Sequence, residues 1–303
     1  MTFHHIVTKE EDGKTILALL KCHFRFSTRV IIYLKQQEDG ILKNGVRAFS
    51  NAIVQTGDSI CINLSDTTPS EQAAPENIPL SIIYEDDALI ILDKPADMVI
   101  HPTHNYQNGT LSNGVAYHYQ SQGLQGKIRP VSRLDRGTSG LVLFAKNAWV
   151  QDCLSNSKIH FEKKYLALTH GIWETTKGTL DFPIARVPGS TIERCVSADG
   201  DFAITHYTVL KTFENRFSLV EFTLETGRTH QIRVHCKAAG HPIVGDSLYA
   251  SPLFSETLGL THQALHSYQL SFLHPVTKQI MCFTAPLPAD IRQAISVFFS
   301  TPI

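Results

Sequence analysis

Val131-Ser132-Arg133-Leu134-Asp135-Arg136-Gly137-Thr138-Ser139-Gly140 is the stretch on which the reading of this sequence turns. It leads from a basic, polar turn into Gly140-Leu141-Val142-Leu143-Phe144-Ala145, an apolar run that reads as a buried strand. A carboxylate at such a loop-to-strand junction is anchored by the sheet and still reachable from solvent. Taken alone, Asp135 has a plainer use, which is to hydrogen-bond the turn Arg136-Gly137-Thr138. Three further stretches bear on the choice. Lys163-Lys164-Tyr165-Leu166-Ala167 sets a phenol at a strand start behind two cations. Gly227-Arg228-Thr229-His230-Gln231-Ile232-Arg233-Val234-His235 gathers arginines, histidines and a glutamine around a helix N-terminus, whose N–H groups and dipole attract anions. There Thr229 is the expected cap and Gly240 the left-handed stop. Gly240-His241-Pro242-Ile243-Val244-Gly245-Asp246 follows as a tight loop.

Around these motifs the chain from residue 80 is rich in strand signals. Ser81–Tyr84, Ala88–Leu92 and Met98–Ile100 are short apolar runs; His206–Thr212 and Phe217–Glu225 flank a turn; Leu270–Phe272 and Ile280–Phe283 read as a closing hairpin. Helical spacing appears from Val150 to Lys164. Many strands and few helices predict an α+β domain around a mixed, mostly antiparallel sheet, spanning 80–303. Residues 65–79, polar and carrying three prolines, read as a linker. The unit before it, 1–64, predicts a helix from Thr15 to Cys22, a second after an N-cap at Ser27, an Asn44-Gly45 hairpin and a strand from Ser59 to Leu64. Arg25, Arg29 and Lys43 sit on this helix-helix-hairpin unit, which has the look of a small RNA-binding module.

The apolar fraction of 43% supplies a packed core, and 18% charged residues is too low for a disordered chain. No run of eighteen apolar residues is present, so no membrane span is expected. The six cysteines are scattered without a C-x-x-C pair, which fits reduced thiols and a cytoplasmic setting. A net charge of −1 conceals two basic stretches: seven cations against two acids from Lys14 to Arg47, and eight against three from Lys127 to Lys164. One cationic face on a neutral chain is compatible with an RNA partner.

Read together, Ser132–Lys146, Lys164–Ala167, Gly227–His235 and Gly240–Tyr249 resemble the RluA-type RNA pseudouridine synthases. Asp93-Lys94-Pro95, Val99-Ile100-His101-Pro102, Ala264-Leu265-His266 and Phe272-Leu273-His274-Pro275 extend the resemblance, in the family's order, from about residue 80 to 288. The N-terminal unit is similar to the accessory domain of many members, itself like one from a ribosomal small-subunit protein. The resemblance implies a pseudouridine synthase fold and an isomerase. The uracil–ribose bond of a uridine is broken, the base turns, and its C5 is joined to the sugar. Cleaving a glycosidic bond calls for a carboxylate near the anomeric carbon.

Asp135 matches the family's essential aspartate, acting as nucleophile at that carbon or as base at the neighbouring sugar position. Tyr165 matches the tyrosine under the base, and Arg233 the basic residue that pairs with the aspartate. Arg133 matches the arginine that fills the gap left by the flipped uridine. Arg136, Lys164, Arg228, His230 and Gln231 belong to the same motifs and are expected at the RNA. No redox step or hydrolysis is involved, so no cofactor is implied. Two positions depart from the family pattern: Ser132 stands where His is common, and Ala250 where Gly is usual.

None of the closest histidine sets, His101 with His104, His230 with His235, or His262 with His266, joins a cysteine cluster or an H-E-x-x-H pattern, and no metal is expected. Cys236 reads as core packing rather than a nucleophile. By family analogy the substrate is ribosomal RNA, with transfer RNA as the alternative, and nothing in the pattern suggests more than a monomer. Two rival readings are an RNA-binding or ribosome-assembly protein without activity, and a hydrolase that would need a second carboxylate beside Asp135.

Overall fold

The computed structural model describes residues 1–65, 73–155 and 161–298. Its first part runs β1 (Thr2–Ile6), α1 (Ile16–Cys22), α2 (Thr28–Gln36), β2 (Ile41–Lys43), β3 (Val46–Arg47) and β4 (Ser59–Asn63). The strands form a four-stranded sheet in the order β1-β4-β2-β3. Both expected helices start where side-chain caps allow, with Thr15 Oγ1 accepting from Ala18 N and Ser27 Oγ from Val30 N. Asn44 and Gly45 both have positive φ, as a two-residue hairpin turn requires.

The remainder runs β5 (Ile82–Glu85), β6 (Leu89–Lys94), α3 (Leu111–Ser121), β7 (Arg129–Pro130), β8 (Ser139–Ala145), α4 (Ala148–Ser155), β9 (Phe161–His170), β10 (Lys177–Asp181), β11 (Ile184–Arg186), β12 (Arg194–Val196), β13 (Ile204–Phe213), β14 (Phe217–Leu224), α5 (Gln231–Ala238), β15 (Leu265–Leu273), β16 (Ile280–Thr284) and α6 (Ala289–Ser296). Ten strands make one mixed sheet along the path β10-β13-β14-β9-β15-β8-β6-β5, with β16 on β15 and β7 on β8. Its pairs are antiparallel except β15 with β8. Every residue of β8 is buried, which explains its unbroken apolar run. At the β8–β15 contact Gly140 has φ 109°, and a Cβ there would lie 2.3 Å from the Ser267 carbonyl oxygen. Only glycine lets the two strands meet so closely.

The two sheets share a core. One continuous cluster of buried side chains links Leu20, Val30 and Ile60 to Leu89, Leu143 and Phe272. Phe3 stands edge-on to Trp149 of α4, centroids 5.0 Å apart. Of the expected linker, 66–72 lies outside the described residues, but Ala73 is buried and the Ala74 carbonyl accepts from Asn113 Nδ2 at 2.8 Å. That end of the segment is packed against α3 rather than free.

Three local expectations need correction, and one helix was not expected. Met98–Ile100 is not a strand: Asp97 turns through a left-handed φ of 61°, and the Val99 and Ile100 carbonyls instead accept from Leu111 and Ser112 at the start of α3. Of the helical pattern from Val150 to Lys164, α4 carries the part to Ser155 and 156–160 lie outside the described residues, but Phe161–Lys164 belong to β9, where tertiary pairing with β15 overrides local spacing. Thr229 does not cap α5. His230 occupies the N-cap position with φ 59°, and the Gln231 amide accepts from Arg228 N instead. Helix α3 escaped notice because Ser112, Asn113 and Gly114 are polar or small yet buried, which blurs its apolar stripe of Leu111, Val115 and Tyr119.

Candidate active site

The candidate site lies beside the parallel contact of β8 and β15, at the middle of the sheet. The turn before β8, the start of β9 and the N-terminus of α5 converge on it. They enclose a cavity of about 240 Å³ lined by Arg133, Asp135, Lys163, Tyr165, His230 and Arg233, among others. Asp135 is held by its own turn, its carbonyl accepting from Thr138 N at 3.1 Å. Its Oδ2 accepts from Arg233 Nη1 at 3.1 Å, with His230 Nε2 at 3.8 Å. Its Oδ1 has no hydrogen-bond partner among the described residues.

Arg233 is locked from behind. Asp246, 1% exposed, takes Nε at 2.7 Å and Nη2 at 2.8 Å in a two-point contact, and the guanidinium lies 4.9 Å from the centre of the Tyr249 ring. Asp246 in turn accepts from Leu248 N and Tyr249 N. Burial works against the charge of Arg233, but the carboxylates of Asp246 and Asp135 outweigh it and hold the guanidinium more firmly protonated than usual. In the sequence Asp246 only closes the loop from Gly240 and belongs to no expected role. The structure makes it the support of the Asp135 partner.

Tyr165 is 5% exposed, opposite Ser267 in the β9–β15 ladder. Burial first, and the Asp135 charge in addition, push its phenol well above the usual range, against a hydrogen bond from Ser267 that lowers it. The ring and its O–H, rather than a phenolate, are what the resting site presents. Beneath the Asp135 turn lies Lys94, fully buried, whose Nζ donates to the carbonyls of Pro95, Met98 and Arg136 at 2.8, 2.9 and 3.0 Å. Burial lowers it to about 7, with Asp135, Asp97 and Asp93 pulling the other way.

The other expected contacts divide. Arg133 is exposed at the cavity mouth and makes no hydrogen bond or ion pair among the described residues. Arg136 is exposed and donates to Tyr106 Oη at 2.8 Å. Arg228 borders the cavity, its Nε donating to the Phe202 carbonyl at 2.9 Å. His230 shares a 2.7 Å hydrogen bond with Tyr249 Oη. Gln231 lines the cavity yet is 3% exposed, accepts from Thr226 Oγ1 and Arg228 N, and donates to the Ile204 carbonyl and Thr205 Oγ1. With its amide so engaged it stitches α5 to β13 at the edge of the cavity. Lys164 lies outside the cavity with its Nζ 3.6 Å from Glu221 and 4.0 Å from Glu162. Strand alternation turns Lys163 into the cavity beside Tyr165 instead. In the N-terminal unit Arg25 and Arg29 are exposed, while Lys43 is tied to Asp58 at 2.8 Å and to the Ile53 carbonyl at 2.9 Å. Ser132 is buried, its Oγ accepting from Leu143 N at 3.4 Å, so it closes the turn onto β8. Cys236 is fully buried among apolar neighbours.

A family profile described as RNA pseudouridylate synthase matches residues 88–238. A Bacillus subtilis (strain 168) protein named "Uncharacterized RNA pseudouridine synthase YhcT" is 38% identical over 97% of both chains. "Ribosomal large subunit pseudouridine synthase D" of Pasteurella multocida (strain Pm70) is 37% identical over 78% of this chain and 75% of its own length. In fold, "Human RNA Pseudouridylate Synthase Domain Containing 1" superposes with a TM-score of 0.58 at 24% identity, over 75% of this chain and 97% of that one. Matched in motif order, in fold and along nearly its whole length, this chain belongs to the RNA pseudouridylate synthase family, isomerases that convert uridine to pseudouridine within RNA.

Proposed function

We propose that this chain isomerises uridines of ribosomal RNA and that Asp135 is the carboxylate on which the reaction depends. The observation that carries the assignment is the chain Asp246–Arg233–Asp135, which engages Oδ2 of Asp135 and leaves Oδ1 unpartnered among the described residues at a cavity that also holds Tyr165. A uridine flipped out of its stack enters the cavity with its ring against Tyr165 and its sugar toward Asp135, while Arg133 at the mouth fills the vacated space. Oδ1 then attacks the anomeric carbon or takes the proton of the neighbouring sugar carbon. Arg233 holds the carboxylate in place in both cases and stays charged throughout, since two carboxylates pair with it. Attack expels the uracil as its N1 anion and leaves a sugar–Asp135 ester, which breaks as C5 bonds to the anomeric carbon. Proton removal expels it to leave a glycal, whose neighbouring carbon regains the proton from Asp135 as C5 bonds. On both routes the uracil turns before C5 bonds, and afterwards the C5 proton is released and N1 takes up a proton. Ribosomal RNA is favoured by the relatives named as ribosomal large subunit pseudouridine synthase D, at 37% and 38% identity.

The test is RNA carrying tritium at uracil C5. Wild-type protein is expected to release tritium from ribosomal RNA without freeing uracil. Asp135→Ala is expected to abolish release while holding RNA affinity within about threefold, because the carboxylate acts in chemistry rather than in phosphate binding. Free uracil would assign a hydrolase, and bound RNA with no release an inactive binding protein. Release from transfer RNA alone would overturn the substrate assignment.

A further inference from the structure

In the N-terminal unit three side chains that the isomerisation does not use converge on one point. His5 comes from β1, Glu11 from the single 3-10 turn Lys9–Glu11, and His23 from the residue that ends α1. His5 Nε2 lies 2.7 Å from Glu11 Oε2, and His23 Nδ1 lies 3.3 Å from Glu11 Oε1. The potential ligand atoms of the three all fall within 4.8 Å of one another, the one such group of metal-binding side chains among the described residues. The two imidazole rings overlap, with centroids 3.9 Å apart and planes tilted by 40°.

We propose that His5, Glu11 and His23 form a binding site for a divalent transition-metal ion, zinc foremost, which clips β1, the Lys9–Glu11 turn and the end of α1 together. Two imidazoles and a carboxylate are an ordinary zinc ligand set, and imidazole also suits cobalt, nickel and copper. Ligand atoms around a tetrahedral zinc stand about 3.3 Å apart, since each bond is about 2.0–2.1 Å. The observed separations need only small side-chain adjustments to reach that. The carboxylate is already oriented by an outer layer of contacts, with Thr8 N and Thr8 Oγ1 donating to Oε2 at 2.9 and 3.2 Å. His5 and Glu11 are 11% exposed and His23 44%, so the ion has an entry path and a fourth position open to water on the His23 side. A simple ion pair needs one histidine per carboxylate. Two overlapped rings on one carboxylate are better served by a shared dication than by two protons, which would set like charges face to face. Positions 5, 11 and 23 match no metal-ligand spacing, so tertiary structure alone assembles the group.

The experiment uses the full-length, tag-free chain stripped with a chelator. Zinc titrated by calorimetry is expected to bind with one-to-one stoichiometry, and cobalt to give a visible ligand-field spectrum. Tm is expected to rise with zinc and return with chelator. His23→Ala, at a largely exposed position, is expected to weaken binding by more than about tenfold, beyond what changes in outer contacts cause. Glu11→Gln, which keeps the size of the side chain, is expected to do the same. Absence of saturable binding by the wild type would overturn the proposal. So would binding that survives both substitutions, which would assign the metal to exposed thiols such as Cys22 and Cys282.

Discussion

At the scale of single residues, the site is a line of alternating charges running from solvent into the core: Asp135, Arg233, Asp246. Asp246 does not line the cavity and acts through Arg233, so it is a positioning residue. Asp246→Asn keeps its size and loses the charge and one acceptor. The expected result is a fall in kcat of about 100-fold with KM within a few-fold, because a small displacement of a reacting group carries a cost of that order. A rise in KM with unchanged kcat would mean that Asp246 serves RNA binding instead. Lys94 makes a prediction about pH. Three carbonyl acceptors suit its ammonium form, yet burial lowers it from 10.5 to about 7. Between those values the unfolded chain holds a proton that the folded chain has lost, so stability rises as pH climbs from about 7 toward 10.5. In Lys94→Met that part of the rise is expected to vanish. Urea midpoints at pH 7 and pH 9.5 for both proteins measure it, and equal increments would remove Lys94 as the source.

At the scale of elements, β9 decides which of two adjacent cations faces the cavity. Tyr165 and Lys163 share one face of the strand, and Lys164 shares the other with Glu162 and Glu221. Lys163 is buried enough that its ammonium is lowered to about 8, which fits a group awaiting an anion. Lys163→Ala is therefore expected to weaken RNA binding and reduce its salt slope by about one, while Lys164→Ala leaves both nearly unchanged. Filter binding across a salt series separates them, and equal effects would contradict the alternation. The helical spacing from Val150 to Lys164 masks this parity in the sequence, because a strand beginning at Tyr165 has no inward partner two residues earlier. Helix α5 carries a similar lesson. Its motif was legible, but the division between Arg233 facing the site and Gln231 holding β13 depends on a left-handed His230 that no cap residue announces.

At the scale of the whole molecule, the two sheets are joined through α4, where Trp149 packs against Phe3 and Phe26 of the N-terminal unit. The same cluster reaches β8, whose first residues follow the Asp135 turn. Trp149→Ala removes a buried ring common to both and is expected to cost about 3–5 kcal/mol. It should lower the urea midpoint of a single transition seen alike by circular dichroism and by proteolysis of the first 64 residues. Early, separate loss of the N-terminal unit in the wild type would sink the idea of a shared core.

By itself the sequence determined the family and the mixed α+β sheet, because motif residues and strand periods are legible at close spacing along the chain; its family resemblance pointed to Asp135, Tyr165 and Arg233, which the structure brings to one cavity. Strand and helix periods and local turn chemistry are likewise short-range, which is why the caps at Thr15 and Ser27 and the Asn44-Gly45 hairpin were legible. Only the tertiary structure decided what lies behind and beside the motifs. Asp246 behind Arg233, Lys94 under the Asp135 turn, Lys163 rather than Lys164 in the cavity, and the meeting of His5, Glu11 and His23 all follow from chain segments brought together by burial of a common core. The physical reason is that burial acts on the folded whole. A side chain's partners are set by which elements must pack together, and no pattern of neighbours along the chain encodes that choice.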